Sequence, residues 1–484
     1  MTLATILDTQ PDDAIAVIEG DESTTYAQLR DLVARTRAGL VSAGVMPGDR
    51  VAVVCTNTRA AAVGVLAATS GGMVAVLLDP SSPVPALRDQ VETIGAAHVL
   101  TGTPIDGEVH THVSSPAGAA VVGIDPLPDG PPVPAAAPEP DDLAVMLFTS
   151  GTAGSPKAAM LSHHNLISNQ DAIIDTHGNG LIAGSVVLAT IPISHMYGFN
   201  ISLLSTLRVG GTVVMADGFR PDECVELIAT HKVDRLAGVP PMWRSLIDSN
   251  APDDAFEGVV RIASGASALH PRLWQEFKDR FGVELQEGYG LTETSPTVTS
   301  HIGIPVRPGT VGKPAPGVEV KVVDHDDNEV PFDDSGEIKV RGPGVFLGYW
   351  ENEEATKSVL DDDGWLATRD IGVFSEDGYL ALVDRAKDLI IVSGFNVYPF
   401  EVETVLVQHP KVDQTVVIGR DDERRGERVV AFVTVPEGSS APELDELVAF
   451  CRERLARYKC PTELEVVTEL PIGASGKTQR RKLS

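Results

Sequence analysis

One short segment combines the residue types that bind phosphate groups. Residues 148–157, with the sequence FTSGTAGSPK, place two glycines and several hydroxyl side chains ahead of Lys157. Glycine lets backbone N–H groups approach an anion, hydroxyls donate further hydrogen bonds, and lysine adds a full positive charge. The spacing differs from that of the common nucleotide-binding loop GxxxxGK[ST]. A surface turn is the alternative, but neither the hydroxyl run nor the lysine serves a turn, so the segment predicts an anion cradle.

A second segment, residues 286–295 with the sequence QEGYGLTETS, adds groups that suit a nucleotide and a metal ion. Tyr289 offers an aromatic face on which a base can stack, and Thr292 can bond a phosphate oxygen. Glu293 is a hard oxygen ligand of the kind that Mg²⁺ prefers. The alternative is a glycine-bracketed turn with solvated polar side chains.

A third pair of segments could hold a sugar. Asp370 lies in residues 364–372 (GWLATRDIG), and Arg385 follows in residues 384–390 (DRAKDLI). A carboxylate can accept both hydroxyls of a ribose, and an arginine can hold the same sugar or a phosphate. Surface charge on turns explains either residue equally well when it is taken alone.

Two more segments depend more strongly on their context. Residues 192–200 (PISHMYGFN) place His195 beside aromatic residues and a glycine after a strand, which suits the wall of an apolar pocket with a polar gate. Taken alone, this histidine fits a buried core position better. Near the C-terminus, Lys477 follows a glycine pair in GASGKTQRRK and could be delivered into a site, although a solvated basic tail is the usual alternative.

The surrounding pattern predicts the scaffold. Up to about residue 125, and again after residue 142, helix-like and strand-like stretches alternate, which favours α/β layers around a mostly parallel sheet. Residues 125–142 are rich in proline and acid and predict a linker. From about residue 309, short alternating strands predict an antiparallel β subdomain, and a smaller α+β unit begins after residue 384. The predicted elements include helices over 26–43, 58–70, 85–94 and 443–457 and strands over 49–54, 73–78 and 318–323.

Composition excludes some partners. The 484 residues are 43% hydrophobic, with 68 acidic and 38 basic residues and a net charge of −30, so nucleic acid and anionic membranes are disfavoured. The four scattered cysteines have no metal-ligand spacing and suggest a reducing, cytoplasmic setting. We expect neither a signal peptide nor a membrane-spanning segment.

The order and spacing of these segments resemble the adenylate-forming superfamily, which includes acyl-CoA synthetases, non-ribosomal peptide adenylation domains and firefly luciferase. The resemblance covers nearly the whole chain and is most specific in the phosphate loop and at residues 289–293, 384–387 and 475–477. Residues 287–296 (EGYGLTETSP) and 392–399 (VSGFNVYP) look most like bacterial medium- and long-chain fatty acyl-CoA ligases. The segment HMYG at 195–198 is similar to hydroxycinnamate-CoA ligases.

The resemblance implies a large multi-subdomain N-terminal domain over residues 1–384, with its β subdomain at about 309–384, a hinge at 385–388, and a small mobile C-terminal domain over 389–484. It also implies two half-reactions: a carboxylate attacks the α-phosphate of MgATP, and the thiol of coenzyme A then displaces AMP. The protein must align the reactants and neutralise charge, and it need not supply a nucleophile.

The same resemblance implies a role for each candidate residue. The phosphate loop would grip the β- and γ-phosphates, Thr292 would touch the α-phosphate, and Glu293 would hold Mg²⁺. Lys477 would bridge the acid and the α-phosphate, and Lys387 would be the hinge residue of the rotation that follows. The loop residues are Thr149, Ser150, Gly151, Thr152, Gly154 and Lys157. The adenosine residues are Ser264, Gly265, Ala266, Gly288, Tyr289, Gly290, Asp370 and Arg385. The acyl pocket would contain His195, Tyr197 and Phe199, and the coenzyme A tunnel would contain Gly394 and Phe395.

Six positions depart from the family pattern, among them Ile472 and Gly473, which replace a more polar, often basic pair before the SGK sequence. Ala153 and Ala158 replace a threonine and a glycine of the phosphate loop, and Ala367 and Arg369 replace the histidine and glycine of a WLHTGD run. A lost phosphate hydrogen bond would cost about 1–3 kcal/mol of transition-state stabilisation, which predicts a slower enzyme. Three functions stay open: a fatty acyl-CoA ligase, a ligase that loads an aryl or fatty acid onto a carrier protein, and a weakly active homologue that binds nucleotide or acyl-adenylate.

Overall fold

The structure is a computed structural model. It describes residues 1–54, 56–96, 98–101, 120–123, 130–149, 156–174, 180–385, 390–392, 395–422, 425–436, 438–471 and 480–483. Up to residue 300 the strands are β1 (Ile15–Glu19), β2 (Glu22–Thr25), β3 (Arg50–Val54), β4 (Val74–Leu78), β5 (His98–Thr101), β6 (Ala120–Gly123), β7 (Leu143–Thr149), β8 (Lys157–Ser162), β9 (Val186–Ala189), β10 (Thr212–Met215), β11 (Arg235–Gly238), β12 (Arg261–Ser264), β13 (Leu285–Glu287), β14 (Tyr289–Gly290) and β15 (Thr297–Ser300).

Helices pack around these strands. The α-helices are α1 (Tyr26–Ser42), α2 (Arg59–Ser70), α3 (Val84–Thr93), α4 (His163–Asp171), α5 (Ser205–Arg208), α6 (Pro221–His231), α7 (Pro240–Asp248) and α8 (Pro271–Phe281). A π-helix covers Tyr197–Leu204, and short 3₁₀ helices cover Leu3–Thr5 and Thr292–Thr294. Thr25 begins α1 with a capping box shared with Gln28.

The N-terminal strands form two sheets. One has the order β13-β12-β11-β9-β10-β1-β2 and is parallel except for β2. The other contains β8-β7-β4-β3-β5-β6, of which only the β7–β8 pair is antiparallel. All five residues of β4, with the sequence VAVLL, are buried, as expected for a central strand that is covered on both faces.

A β-rich region follows. Its elements are β16 (Lys313–Pro314), β17 (Glu319–Val323), β18 (Ser335–Arg341), β19 (Gly348–Tyr349), α9 (Glu353–Lys357), β20 (Leu366–Phe374) and β21 (Leu380–Arg385). Strands β17, β18, β20 and β21 form one antiparallel sheet. Strand β19 instead pairs with β8, which joins this region to the second N-terminal sheet.

The C-terminal unit has its own sheet and core. Its elements are β22 (Ile390–Val392), β23 (Phe395–Val397), α10 (Pro399–Leu406), β24 (Thr415–Asp422), β25 (Gly426–Val433), α11 (Leu444–Arg452), β26 (Glu463–Val466) and 3₁₀ helices over Arg457–Lys459 and Arg480–Lys482. A separate cluster of buried side chains, including Val402, Leu406 and Val417, lies between its helices and sheet. Arg272 of α8 donates to the Val407 carbonyl at 2.9 Å and so links the two units.

The predicted α/β class with a β region and a small α+β C-terminal unit is confirmed. Most boundaries agree within a residue or two, but the helix predicted over 443–457 ends at Arg452, and a short 3₁₀ turn follows at Arg457–Lys459. The proposed domain limits and hinge stay predictions. Among the described helices, none has the length and apolar character needed to cross a bilayer.

Candidate active site

The carboxyl ends of three parallel strands, β11, β12 and β13, meet at one edge of the first sheet. Ser264 at the end of β12 is the register partner of Glu287 at the end of β13. The backbone N–H of Gly288 then donates to the Ser264 carbonyl at 3.0 Å. Ligands of parallel α/β sheets bind at this edge. Two segments that the sequence predicts for adenosine, 264–266 and 288–290, therefore lie side by side.

A cavity of about 900 Å³ opens at this edge, between the N-terminal and C-terminal units. Ala266 lines it with φ at +64°, a left-handed conformation that costs a residue with a side chain roughly 1–2 kcal/mol. Other predicted residues that line it are Gly288, Tyr289, Gly290 and Asp370. The C-terminal unit contributes Phe400, Glu403, Val407 and Arg480, so the cavity is closed by both units.

Tyr289 and Asp370 meet on the wall of this cavity. The Tyr289 hydroxyl donates to Oδ2 of Asp370 at 2.7 Å, although the two residues are 81 positions apart. The tyrosine is 8% exposed and the aspartate 7% exposed, so both positions are tightly held. The aromatic ring and the carboxylate thus form one preassembled unit that fits a purine stacked beside its ribose.

A bulge in β20 aims Asp370 at the cavity. Glu337 of β18 pairs with Ile371, whereas Lys339 pairs with Ala367, so β20 carries extra residues between these partners. Arg369 lies in the bulge with φ at +61°. This left-handed conformation explains why a glycine would be the unstrained residue at that position.

Lys157, Tyr349 and Glu293 form a second connected group. Nζ of Lys157, at the start of β8, lies 5.1 Å from the ring centroid of Tyr349 on the neighbouring strand β19. The Tyr349 hydroxyl donates to Oε1 of Glu293 at 2.7 Å. Burial, followed by the charge and hydrogen bond of Glu293, raises the pKa of Tyr349 well above its usual value. Tyr349 therefore stays a neutral donor that fixes the carboxylate.

This arrangement fits a magnesium ion. Mg²⁺ usually takes one or two protein carboxylates and completes its shell with phosphates and waters. Glu293 offers one such carboxylate, which the Tyr349 hydroxyl holds, while the backbone carbonyl of Glu293 accepts from the Phe346 N–H at 2.9 Å. No cluster of three or more acidic, histidine or cysteine ligands occurs in the described part of the chain, so a cage made of protein ligands alone is not found there.

Several predicted site residues lie outside the described residues. They are Ser150, Gly151, Thr152, Gly154, Lys387, Gly394 and Lys477. Thr149 and Lys157 border the loop on β7 and β8 and are register partners. The backbone of Arg385 on β21 pairs with Asp370, which brings the two predicted ribose residues to adjacent strands.

A smaller cavity of about 190 Å³ lies beside the 900 Å³ cavity, and the two share Ala266, Gly288, Tyr289 and Gly290 in their walls. His195, Tyr197 and Thr292 line it, together with apolar residues such as Ile173 and Met242. Gly265 lets the Tyr197 ring approach, since a Cβ there would lie 3.0 Å from it. The two cavities therefore adjoin each other along these four shared residues.

Two predicted residues lie elsewhere. Phe199 is fully buried in the core of the N-terminal unit and is not among the residues that line the small cavity. Phe395 on β23 is 56% exposed and stacks on Tyr458, with ring centroids 4.8 Å apart. The roles predicted for these two residues stay untested.

Four residues of these sites have no role predicted from the sequence. Tyr349 and Arg261 belong to no recognised motif, and Gln286 and Glu287 only begin the QEGYG segment. Burial raises the pKa of Glu287 to about 8, although the Leu269 N–H donates to its Oε1 at 2.8 Å. A glutamate immediately before a glycine-rich turn is a weak signal that could have directed attention to it.

Comparisons with known proteins agree with this geometry. The model of the AMP-binding enzyme family matches residues 4–350, and that of the AMP-binding enzyme C-terminal domain matches residues 401–477. A feruloyl-CoA synthase from Amycolatopsis sp. is 36% identical over 474 residues, covering 96% of this chain and 94% of the relative. A long-chain-fatty-acid–CoA ligase from Escherichia coli O6:H1 is 37% identical over 348 residues, covering 71% of this chain and 62% of the relative.

Solved structures of one relative match this chain over its full length. ATP-bound MatB from Rhodopseudomonas palustris, 31% identical, superposes with a TM-score of 0.94 over 100% of this chain and 98% of that protein. The apo form of the same protein gives a TM-score of 0.83. The structure of this chain therefore superposes more closely on the ATP-bound form than on the apo form.

Proposed function

The chain belongs to the AMP-binding enzyme family as an AMP-forming acid–thiol ligase, and we propose that its acid substrate is a compact aromatic carboxylic acid. The 190 Å³ cavity beside the nucleotide cavity carries the proposal. Pockets for drug-sized ligands usually measure about 300–1,000 Å³, so this one suits a short or single-ring acyl group. The feruloyl-CoA synthase relative, aligned over nearly the full length of both chains, supports the same class.

The acid and two cosubstrates react in two steps. A carboxylate oxygen of the acid forms a bond to the α-phosphorus of ATP, and the bond to pyrophosphate breaks. The sulfur of coenzyme A then attacks the acyl carbon, loses its proton and displaces AMP. Neither step needs a nucleophile from the protein, so its task is alignment and charge stabilisation.

The described side chains suit that task. Tyr289 and Asp370 would hold adenine and ribose, since they already meet at 2.7 Å on the wall of the larger cavity. Glu293 would hold Mg²⁺, which neutralises charge on phosphate oxygens when it is bound. Lys157 would face the pyrophosphate, Lys477 the reacting carboxylate, and His195 would gate the acyl cavity.

A medium- or long-chain fatty acid is the competing substrate. The E. coli relative carries that activity in its name, and much of the small cavity wall is apolar, including Leu147, Ile191 and Val239. A long chain would need a cavity deeper than 190 Å³. Two further functions compete with the proposal: a ligase that transfers the acyl group to a carrier protein, and a weakly active homologue. One set of assays separates all of these functions.

The test is a panel of acids. Pyrophosphate release is measured first for each acid. Thioester formation is then detected by mass spectrometry, with either coenzyme A or a holo-carrier protein as the acceptor. Benzoic and cinnamic acids should exceed hexadecanoic acid by at least about tenfold in kcat/KM. Faster turnover of hexadecanoic acid would overturn the compact-acid proposal. Thioester only on the carrier protein would favour that acceptor, and no pyrophosphate release with any acid would favour the weak homologue.

A cavity variant provides an independent check. Met242→Ala should enlarge the small cavity and raise the kcat/KM of longer acids relative to cinnamic acid, because Met242 lies in its wall. Met46→Ala is the matched control, since Met46 is 61% exposed. An equal shift in both variants would show that cavity size does not determine substrate choice.

A further inference from the structure

Asn57 connects the two N-terminal sheets at one loop. It lies between β3 of the second sheet and helix α2, and it is 4% exposed. Its Nδ2 donates to the backbone carbonyls of Ala189 at 2.9 Å and Ile191 at 3.0 Å. Its Oδ1 accepts from the Ile193 N–H at 2.8 Å. One side chain, 132–136 positions away in the chain, therefore holds the loop that follows β9 of the first sheet.

This loop, residues 190–195, forms part of the wall of the small cavity. Ile191 and His195 are among the residues that line the cavity, whereas Asn57 is not. The loop has neither helix nor strand structure, yet Ile191 is only 5% exposed and Ile193 only 1% exposed. Buried backbone groups outside regular structure need other hydrogen-bond partners, and Asn57 supplies three bonds of this kind.

Gly198, in the π-helix that follows, packs closely against the same loop. A Cβ at this position would lie 2.4 Å from the carbonyl oxygens of both Ile191 and Pro192, well inside van der Waals contact. The His195 N–H also donates to the Pro192 carbonyl at 3.0 Å. The Ile191 carbonyl is thus held between the Asn57 amide and the start of the π-helix, and the position of His195 depends on the same contacts.

We propose that Asn57 is a positioning residue that determines which acids the enzyme accepts. It acts through the loop that it holds, because Ile191 and His195 then keep their places in the wall of a narrow cavity. A compact acid binds more tightly to a wall that is already in place. Without the three bonds the wall can move, so compact acids lose affinity and larger acids meet less hindrance. This inference rests on the proposed function, in which the acyl group lies in the small cavity.

The contact requires a carboxamide. Two carbonyl oxygens need donors and one N–H needs an acceptor, and the asparagine side chain offers both. An ionised aspartate keeps the acceptor for Ile193 but directs an oxygen at the carbonyl oxygens of Ala189 and Ile191. Leucine keeps a similar shape and loses all three bonds. Asn57→Asp and Asn57→Leu therefore release the loop in two different ways with little change in side-chain volume.

Pyrophosphate release with cinnamic and hexadecanoic acids tests the inference. Both Asn57 variants should raise the KM of cinnamic acid about tenfold and leave the KM of ATP within about twofold. The ratio of cinnamic to hexadecanoic acid in kcat/KM should fall at least about tenfold. A purely structural role would lower Tm and the active fraction of the enzyme, which changes neither KM nor the ratio. Wild-type KM values and an unchanged ratio in the folded variants would overturn the inference.

Asn165 provides a matched control. Its Nδ2 donates to the carbonyls of Pro343 and Val345, each at 2.8 Å, and its Oδ1 accepts from the Ser162 N–H at 2.9 Å. It is 6% exposed, and these partners are not among the residues that line the two cavities. Asn165→Asp changes the same set of bonds and should keep the wild-type ratio of the two acids. An equal fall of the ratio in this control would overturn the inference.

Thr190→Val keeps the test decisive if the Asn57 variants do not fold. The Thr190 hydroxyl donates to the Ala237 carbonyl at 2.9 Å and so attaches the same loop to β11. Valine removes this one bond, so the ratio of the two acids should fall about threefold. An unchanged ratio in this variant would then overturn the inference. ATP binding at wild-type affinity identifies the folded variants.

Met242→Ala separates this inference from the proposed function. If it shifts the ranking of acids while the Asn57 variants do not, the inference is wrong and the proposed function stands. If Met242→Ala leaves the ranking unchanged, the acyl group does not occupy the small cavity and both are wrong.

Discussion

The nucleotide cavity and the acyl cavity differ in how their polar side chains are satisfied. In the nucleotide region, Tyr289 already bonds Asp370 and Tyr349 already bonds Glu293, each at 2.7 Å. In the acyl cavity, Gln286 and Ser194 have buried oxygens without hydrogen bonds to described residues. In the proposed function, one region is preassembled for the nucleotide that every reaction uses, and the other is completed by the particular acid.

This difference leads to distinct experimental consequences. Changes in the nucleotide region should reduce turnover of all acids by the same factor, because ATP takes part in every reaction. Changes at residues that line only the small cavity, such as Met242, should alter the ranking of acids, because in the proposed function the acyl group lies there. A nucleotide-region variant that changed the ranking would break the comparison.

Lys477→Ala should have the largest effect. If this lysine neutralises the reacting carboxylate and the α-phosphate, its loss should lower adenylation about 10²–10³-fold, a typical value for removing one such group. Thioester formation from supplied acyl-adenylate should be spared. Lys482→Ala, an exposed lysine five positions further on, is the control. Equal loss in both half-reactions, or a loss that depends on the acid, would contradict the assigned role.

Glu287→Gln tests whether the wall beside the nucleotide is preassembled in a neutral form. Burial raises the pKa of Glu287 to about 8, so between the usual carboxyl range and pH 8 the folded protein keeps a proton that the unfolded chain loses. The stability of the wild type therefore falls by up to about 1.4 kcal/mol per pH unit across this window. Glutamine retains the acceptor for Leu269 and carries no charge, so the variant should lack this contribution.

The measurement is urea unfolding of both proteins at pH 5.5, 7 and 8.5. The advantage of the variant should grow with pH and level off above about pH 8. Burial also lowers the pKa of His301, which contacts the Glu287 carbonyl, so this histidine acts in the opposite direction as the pH falls. Because His301 is present in both proteins, its contribution cancels in the difference between their free energies of unfolding. A difference that does not vary with pH would show that Glu287 is ionised in the folded protein.

Tyr349→Phe should have a smaller effect on activity. The variant loses the hydroxyl that bonds Glu293 but keeps the ring beside Lys157. A hydrogen bond to a charged group is worth about 1.5–3 kcal/mol, so we expect roughly a tenfold or greater loss of kcat and a higher Mg²⁺ requirement for every acid. Tyr379→Phe also removes one tyrosine hydroxyl, which bonds the Pro305 carbonyl, and should preserve Mg²⁺ dependence. An unchanged Mg²⁺ titration in Tyr349→Phe would argue against metal positioning.

The same contrast explains what the sequence could predict. Tyr289 and Asp370 are recognisable by the groups that a nucleotide needs, and they meet in the structure. Strands such as β4 are predictable because apolar runs mark buried parallel strands. Tyr349 escapes prediction because it is 56 positions from Glu293 and only strand pairing brings it there. Cavity volume and the place of Arg261 in the wall of the small cavity are beyond prediction because they depend on the packing of many elements.

Arg369→Gly should have the smallest effect, which we expect to see in stability. Arg369 has φ at +61°. Glycine would relieve this left-handed conformation, which stabilises the folded protein by about 1–2 kcal/mol. Glycine also gives the unfolded chain more freedom, which lowers that gain by about 0.5–1 kcal/mol. The variant also loses a 3.3 Å bond to Ser358, so we expect a net gain of up to about 1 kcal/mol and a small rise in Tm. Ala367→Gly, in the same strand but absent from the positive-φ residues, should instead destabilise. If both glycine variants lowered Tm, the contacts of Arg369 would stabilise the protein by more than its left-handed conformation costs. The idea that the bulge beside Asp370 is strained would then be wrong.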